Sequence, residues 1–172
     1  DGTLFVDLFG GSGLLSHIAK SLKPHSTVIY NDFDNYRFRM KHIPQTNQLL
    51  ADIREMVGNS VPRHKIIKGE LRERILSRIE QEENTTGYVD FITLSSSILF
   101  SMKYKLSVQD MRKEALYNNI RKTGYPECAD YLEGLEIVSC DYKEVFNRYK
   151  DIPGVVFLVD PPYLSTDVGT YN

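Results

Sequence analysis

The sequence predicts an α/β fold built on a parallel sheet and interrupted by a mainly helical insertion. An apolar run at 4–9 leads into a glycine-rich turn and then into a helical pattern. Two later apolar runs, at 135–138 and 155–159, are rich in Val, Ile and Leu, which is typical of strands buried on both faces. The segment between these end regions, 36–134, is predicted to be mainly helical and more strongly charged.

The first elements predict the start of a β-α-β unit, whose crossover is normally right-handed. The first strand lies within 4–9, and apolar residues recur at helical spacing over 14–22 until Pro24 ends the helix. A second strand covers 27–30 and ends near Asp32. A strand at 135–138, a short helix at 142–149 and a strand at 155–159 complete the frame, and the last strand runs into Asp160.

The sequence pattern within the insertion predicts three helices. Residues 62–83 form a charged amphipathic pattern with Pro62 near its start. Residues 91–100 are more apolar and predict a buried helix, with a short strand as the alternative. Residues 107–122 open with the N-cap signal of Ser107 followed three residues later by Asp110.

Composition indicates an ordinary globular chain of 172 residues, with 21 Lys and Arg against 23 Asp and Glu and a net charge of −2. Its purely apolar runs are only a few residues long, which excludes a transmembrane span. Cys128 and Cys140 form neither a disulfide framework nor a metal-ligand cluster, so we predict no metal site. We expect a reducing, cytoplasmic setting.

Charge divides unevenly along the chain. Residues 36–125 hold 16 Lys and Arg against 10 Asp and Glu, so this stretch carries +6 and the remainder −8. The basic stretch is either a solvated helical surface or a surface that faces phosphates, and the mild overall acidity does not exclude nucleic acid. The candidate phosphate contacts are Arg72, Arg74, Arg78, Lys103, Lys105, Arg112 and Lys113.

The glycine-rich turn follows Asp7 at the end of the first strand and includes Gly10, Gly11 and Gly13. Glycines at such a turn allow a sharp bend and the close approach of a ligand. The dinucleotide pattern G-x-G-x-x-G fails because Ser16 occupies its third glycine position, and no Walker lysine follows. A ligand without a pyrophosphate therefore fits better, although such turns are also common structural devices.

Two further motifs place acidic residues after strands. Asp32 lies 19 positions after Gly13, where a carboxylate can accept both hydrogen bonds of a ribose diol. The alternative is that Asp32 or Asp34 caps a helix that begins near Asn35; we favour ribose binding for Asp32 and capping for Asp34.

The second motif is Asp160-Pro161-Pro162-Tyr163, which follows the last predicted strand. It combines a carboxylate, a carbonyl left free to accept at Pro161 and an aromatic ring that can stack on a ligand. The alternative is a rigid Pro-Pro turn with a packed tyrosine.

Together these motifs resemble the Dam-like adenine-specific DNA methyltransferases, a branch of the class I fold that uses S-adenosyl-L-methionine. The resemblance implies a Rossmann-like sheet of which this chain contains strands in the order 3-2-1-4. It implies catalysis by Asp160, Pro161, Pro162 and Tyr163. The cofactor-binding residues that it implies are Asp7, Phe9, Gly10, Gly11, Gly13, Asp32 and, on a weaker match, Asp141. Asp141 is equally interpreted as an N-cap paired with Glu144.

The resemblance also implies function and organisation. Residues 1–35 and 135–172 would form the cofactor-binding and catalytic core, and 36–134 would recognise the target. The reaction would be direct methyl transfer to the N6 amine of a flipped adenine in double-stranded DNA. The alternatives for its setting are a restriction-modification pair with a cognate restriction endonuclease and a methyltransferase that acts without one. Cytosine C5 methylation is excluded because it needs a cysteine nucleophile, typically in a Pro-Cys dipeptide, and none occurs.

The sequence departs from the family pattern at both ends. It lacks the Lys- and Gly-rich segment that precedes the first strand and the three strands that follow the catalytic motif. We therefore expect a missing segment or a partner to cover the edge of the fourth strand. The alternatives are a ribosomal or other RNA methyltransferase and a truncated, non-catalytic nucleic-acid-binding module. A nicotinamide oxidoreductase is disfavoured by Ser16 and by Asp-Pro-Pro-Tyr.

Overall fold

The structure, a computed structural model, describes residues 2–101, 103–128 and 130–161. It divides into two compact units. The first unit takes its described residues from Asp1–Lys41 and Cys128–Asn172, and the second is formed by His42–Glu127. No helix among the described residues is long and apolar enough to cross a membrane.

The elements follow one another in chain order as β1 (Leu4–Asp7), α1 (Leu14–Leu22), β2 (Thr27–Asn31), α2 (Tyr36–Lys41), α3 (Ile43–Val57), β3 (Ile66–Ile67), α4 (Gly69–Thr86), α5 (Phe91–Ile98), α6 (Val108–Arg112), β4 (Leu116–Tyr117), β5 (Glu136–Val138), α7 (Tyr142–Tyr149) and β6 (Val156–Leu158).

The first unit contains a four-stranded sheet in the order β5-β2-β1-β6, and every neighbouring pair is parallel. This confirms the predicted α/β class and the order 3-2-1-4 of the sheet. Asp7 pairs in register with Tyr30 on one side and Leu158 on the other, while Asn31 pairs with Val138. The carboxyl ends of all four strands therefore meet at one edge, where open α/β sheets bind ligands.

The apolar side chains of the strands form the core of this unit. Val6, Val28 and Tyr30 are fully buried, and Val145 of α7 packs with Val6 in the same apolar cluster. The predicted helix bounds of α1 and α7 agree with the structure. Helix α7 buries Val145, but the large apolar residues that predicted α1 are exposed, and Ser16 is the residue of α1 that is buried.

The second unit is mainly helical, as predicted for the insertion. Helix α3 buries Leu49, Leu50, Ile53 and Val57, which recur at the spacing of one helical face. These side chains belong to a single apolar cluster that includes residues of α4, α5, α6 and both short strands. The buried helix predicted at 91–100 is present as α5, which ends at Ile98.

The predicted helix over 62–83 is wrong at its start. Its first residues form an irregular segment and strand β3, where Ile66 pairs antiparallel with Tyr117 and Ile67 with Leu116. Ile67 and Leu116 are completely buried. Helix α4 therefore begins only at Gly69 and extends to Thr86, after which Gly87 ends it with a φ of 74°.

The predicted helix over 107–122 is wrong at its end. Its start is confirmed, because the Ser107 side chain accepts a hydrogen bond from the Asp110 N–H. The helix stops at Arg112, since Leu116 and Tyr117 are drawn into the ladder with β3. A tertiary pairing thus overrides the local helical pattern.

Asn31 joins three parts of the first unit and is 1% exposed. Its Nδ2 donates hydrogen bonds to the Leu8 carbonyl at 3.0 Å and to the Cys140 carbonyl at 2.9 Å. Its Oδ1 accepts one from the Cys140 N–H at 3.1 Å. The end of β2 is thereby tied to the chain that leaves β1 and to the chain that leaves β5.

Replacing Asn31 by aspartate (Asn31→Asp) tests this junction. A carboxylate oxygen would face two carbonyl oxygens that each lose a donor, so the free energy of unfolding should fall by at least about 2 kcal/mol. Urea unfolding measures the change. Asn147→Asp, at an exposed position of α7, is the matched control and should change stability by less than about 0.5 kcal/mol. An equal loss in both variants would contradict the role of Asn31.

Candidate functional site at the carboxyl edge of the sheet

The glycine loop between β1 and α1 is a tight turn closed by a hydrogen bond of 2.7 Å from the Gly13 N–H to the Gly10 carbonyl. Gly11 and Gly13 have φ values of 49° and 76°, which favour glycine. Gly13 is the N-cap of α1, and this end of the helix has neither a side-chain cap nor an acidic residue in its first turn. The N-cap residue of α1 therefore supplies no side chain to the N–H groups of the first helical turn.

Gly10 is required by packing rather than by its φ angle. A Cβ atom at this position would lie 2.3 Å from Cε2 of Tyr30 and 2.6 Å from the carbonyl oxygen of Asn31. The loop thus rests directly on the end of β2, a reason that the glycine pattern alone does not reveal.

Asp7 is the buried acid of the site, with an exposed fraction of 1%. Its Oδ2 accepts a hydrogen bond of 2.8 Å from the Ser16 hydroxyl, while its buried Oδ1 meets no hydrogen-bond partner among the described residues. Burial raises the pKa of Asp7, hydrogen bonds from the Ser16 hydroxyl and from the backbone of Phe9 and Ser16 lower it, and the nearby charge of Asp160 raises it. Oδ1 thus keeps acceptor capacity at the carboxyl edge of the sheet.

Ser16 is a site residue that sequence reasoning missed. It entered that reasoning only as the residue that breaks the dinucleotide pattern, yet it is fully buried and holds the Asp7 carboxylate. A small hydroxyl residue at that place, one helical turn after the glycines, was the available signal.

Asp32 is 4% exposed and holds the start of α2. Its Oδ1 accepts from the Tyr36 N–H at 2.5 Å and lies 3.1 Å from the Tyr30 hydroxyl, and its Oδ2 accepts from the Arg37 N–H at 3.2 Å. Burial and the negative charge of Asp32 raise the pKa of Tyr30. The geometry is that of the capping alternative, and ribose binding by Asp32 stays a prediction.

Asp141 and Phe9 lie at the start of α7. The Asp141 side chain caps this helix, since it accepts a hydrogen bond of 2.8 Å from the Lys143 N–H. The Phe9 ring packs against Tyr142 with ring centroids 4.9 Å apart. The cofactor roles of both residues remain predictions beside these structural ones.

Asp160 and Pro161 follow β6 and are exposed. The pairing of Asp7 with Leu158 brings Asp160, two residues further on, close enough for its charge to act on Asp7. Pro162 and Tyr163 lie outside the described residues. Two carboxylates, one buried and one exposed, thus share the edge of the sheet next to the glycine loop.

These features fit S-adenosyl-L-methionine, whose sulfonium and ammonium groups are cationic and whose carboxylate is anionic. The Asp7 Oδ1 atom and the charge of Asp160 suit the cationic groups. The uncapped start of α1 suits an anionic group. Among the described residues, no cluster of three or more His, Cys, Asp or Glu side chains could hold a metal ion.

The raised pKa of Asp7 predicts a pH-dependent effect of Asp7→Asn. The folded protein favours the protonated acid, so the wild type loses stability as pH rises from the ordinary value of 3.8 through the folded-state pKa. The amide does not titrate. The free energy of unfolding of the variant, relative to wild type, should therefore increase with pH over this window.

Urea unfolding of the ligand-free proteins between pH 4 and pH 7 measures the difference. Asp151→Asn, a matched substitution at an exposed position of the same unit, supplies the control. A free energy of unfolding of Asp7→Asn that decreases relative to wild type as pH rises would show that the pKa of Asp7 is not raised.

Comparison with known proteins agrees with this geometry. The family model described as D12 class N6 adenine-specific DNA methyltransferase matches residues 1–172. A Haemophilus influenzae protein named "Putative methyltransferase" is 39% identical over 172 residues, which is all of this chain and 57% of that relative's length. No solved structure gives a significant match. The resemblance predicted from the motifs is confirmed: the chain belongs to the family of D12 class N6 adenine-specific DNA methyltransferases.

Proposed function

We propose that this protein transfers the methyl group of S-adenosyl-L-methionine to the N6 amine of adenine in double-stranded DNA. Family membership over the whole chain supports the reaction class. The observation that carries the proposal is the position of Asp160, an exposed carboxylate beside the glycine loop and close to the buried Asp7. That is where an acceptor must lie if it is to act on an amine next to a bound methyl donor.

The cofactor supplies an activated methyl group on a sulfonium ion. The chain contributes the binding groups: the glycine loop that includes Gly10, Gly11 and Gly13, the open start of α1 and the Oδ1 atom of Asp7. We assign to Phe9, Asp32 and Asp141 the nucleoside end of the ligand. Asp32 retains acceptor capacity on Oδ2, which receives one hydrogen bond among the described residues.

Asp160 and Pro161 act on the substrate amine. The lone pair of the adenine N6 atom is delocalised into the ring, so the amine is a poor nucleophile. The Asp160 carboxylate and the Pro161 carbonyl can each accept one of its two N–H hydrogen bonds, which draws the nitrogen toward tetrahedral geometry and frees the lone pair for attack. The catalytic contribution is positioning and electrostatic stabilisation.

The base must leave the duplex to reach this edge, at a cost of a few kcal/mol. Stacking on the ring of Tyr163, which follows Pro162, would return roughly 1–3 kcal/mol. The second unit, whose residues 42–127 hold 13 Lys and Arg against 11 Asp and Glu, would supply contacts to the DNA backbone. A cytoplasmic setting, a cognate restriction endonuclease and a segment or partner that covers the β6 edge belong to this proposal.

The test is the substitution Asp160→Asn in the full-length protein. The amide keeps the shape but weakens the acceptor, so methyl transfer from labelled S-adenosyl-L-methionine to adenine-containing duplex DNA should fall by about 10²-fold or more. Asp151→Asn is the control at an exposed position. Wild-type rates in Asp160→Asn would refute the role of this carboxylate, and labelling of structured RNA but never of DNA would refute the substrate.

A further inference from the structure

We propose that the DNA backbone binds one particular surface of the second unit, which we call the basic ribbon. It consists of the cations beside the paired strands β3 and β4, namely Arg54, Arg63, Lys65, Arg121 and Lys122. The inference rests on the proposed function, because it takes DNA as the substrate. It moves the phosphate contacts away from the helical cations that the sequence suggested.

Most of the seven cations that the sequence suggested as phosphate contacts are already ion-paired within the second unit. Arg112 bonds to Glu73 and Glu80, and Lys103 and Lys105 both bond to Glu114. The other paired cations are Arg72 with Glu73, Arg78 with Asp52 and Glu82, and Lys113 with Asp110. Of the seven candidates, Arg74 is the one without such a pair in the described part of the chain.

These pairs cancel the charge of the helical surface. Residues 69–86 and 103–114 together contain seven Lys and Arg and seven Asp and Glu, so their net charge is zero. A cation that is already neutralised by a carboxylate releases few counterions when a phosphate approaches, and counterion release is what drives binding to a DNA backbone.

Two of the arginines also serve as structural ties. The Arg78 side chain is 21% exposed and bridges Asp52 of α3 and Glu82 of α4 at 2.8 Å each. Arg72 donates to the carbonyl oxygens of Arg112 at 2.5 Å and Glu114 at 3.2 Å, which fastens α4 to the end of α6. Removing such a partly buried partner leaves the other group uncompensated, so these arginines are committed to the fold.

Apart from Arg54, which stands between Asp52 and Glu55, the cations of the basic ribbon lie in sequence that lacks acidic residues. Residues 58–69 and 116–126 hold the other four together with Lys68, and no Asp or Glu. The two segments are joined through β3 and β4 and by backbone bonds beyond the strands. The Asn118 N–H donates to the Lys65 carbonyl at 2.9 Å, and the His64 N–H donates to the Asn118 carbonyl at 2.8 Å. Cations from distant parts of the sequence are therefore brought side by side.

Arg54 and Arg121 extend the ribbon. The Arg54 Nε donates to the Arg121 carbonyl at 2.9 Å, and the Arg121 guanidinium lies 4.4 Å from the centre of the Tyr125 ring. Arg121 is three residues from Asn118, so the Cα atoms of these residues are at most about 11 Å apart. Duplex DNA carries one negative charge per roughly 1.7 Å of its axis, so a cluster of this size can contact several phosphates.

His64 connects the two segments of the ribbon. Its Nε2 lies 3.3 Å from the Arg63 Nε, and its Nδ1 lies 2.9 Å from Oδ1 of Asn119. Lys65 and Lys122 are both exposed, and no side-chain partner is seen for either among the described residues. They are the cations most available to phosphate.

The experiment compares two matched pairs of substitutions in the full-length protein. Lys65→Gln with Lys122→Gln removes two charges from the ribbon, and Lys103→Gln with Lys113→Gln removes two charges from the helical surface. Fluorescence anisotropy measures binding to a labelled duplex DNA at several salt concentrations. The slope of log K against log salt should become shallower by about 1.8 in the ribbon variant and should stay close to wild type in the helical variant.

The inference is overturned if the ribbon variant keeps the wild-type slope of log K against log salt. It is also overturned if the slope of the helical variant becomes shallower by as much as that of the ribbon variant. Wild-type binding to duplex RNA of the same sequence but not to the DNA also overturns it. Circular dichroism confirms that all four variant positions leave the fold intact. The proposed function is judged separately by methyl transfer: a wild type that binds DNA without methylating adenine refutes the activity, whereas the salt slopes still decide the surface.

Discussion

Parallel pairing of β1 with two neighbours is the constraint on which the candidate site depends. Because β1 pairs with both β2 and β6, the ends of these strands stop at a common edge, and Asp7 lies opposite Tyr30 and Leu158. A shift of one residue would turn the side chains of a strand to the opposite face and remove Asp7 from the edge. The register is held by buried side chains such as Val6 and by the bonds of Asn31 across three chain segments.

The site shows how environment separates chemically identical residues. Asp32 and Asp141 each accept hydrogen bonds from the first N–H groups of a helix, an arrangement that satisfies the acid and also suits the helix dipole. Asp7 is buried with one oxygen unpartnered among the described residues, and Asp160 is exposed. Each aspartate ends or follows a strand of the same sheet, yet Asp7 and Asp160 are the two whose charges act on each other. Position at the end of a strand therefore does not define the role of an aspartate.

Local patterns were enough to predict the frame of the fold and therefore the edge of the sheet at which the candidate site is proposed. Apolar runs of the buried-strand type and the period of α1 and α7 predicted the sheet and its flanking helices, because those features depend on neighbours in sequence. The start of α4 and the end of α6 escaped prediction because Ile66 and Tyr117 are 51 positions apart and their pairing leaves no local signal. The packing of Gly10 on Tyr30 likewise joins residues 20 positions apart, whereas Ser16 lies only nine positions from Asp7 and carried a local signal in its small hydroxyl side chain.

The composition of the chain does not show where its charge acts in the folded protein. A count treats every lysine and arginine alike, and it assigned +6 to residues 36–125 without saying where that charge acts. The fold then neutralises one part of it, since Glu73, Glu80 and Glu114 meet basic partners across α4, α6 and the chain between them. The acid-free segments beside β3 and β4 keep theirs. A polyanion responds to the uncompensated charge rather than to the total, so the ion pairs of α4 and α6 decide which cations of the second unit are left for the proposed contacts to DNA.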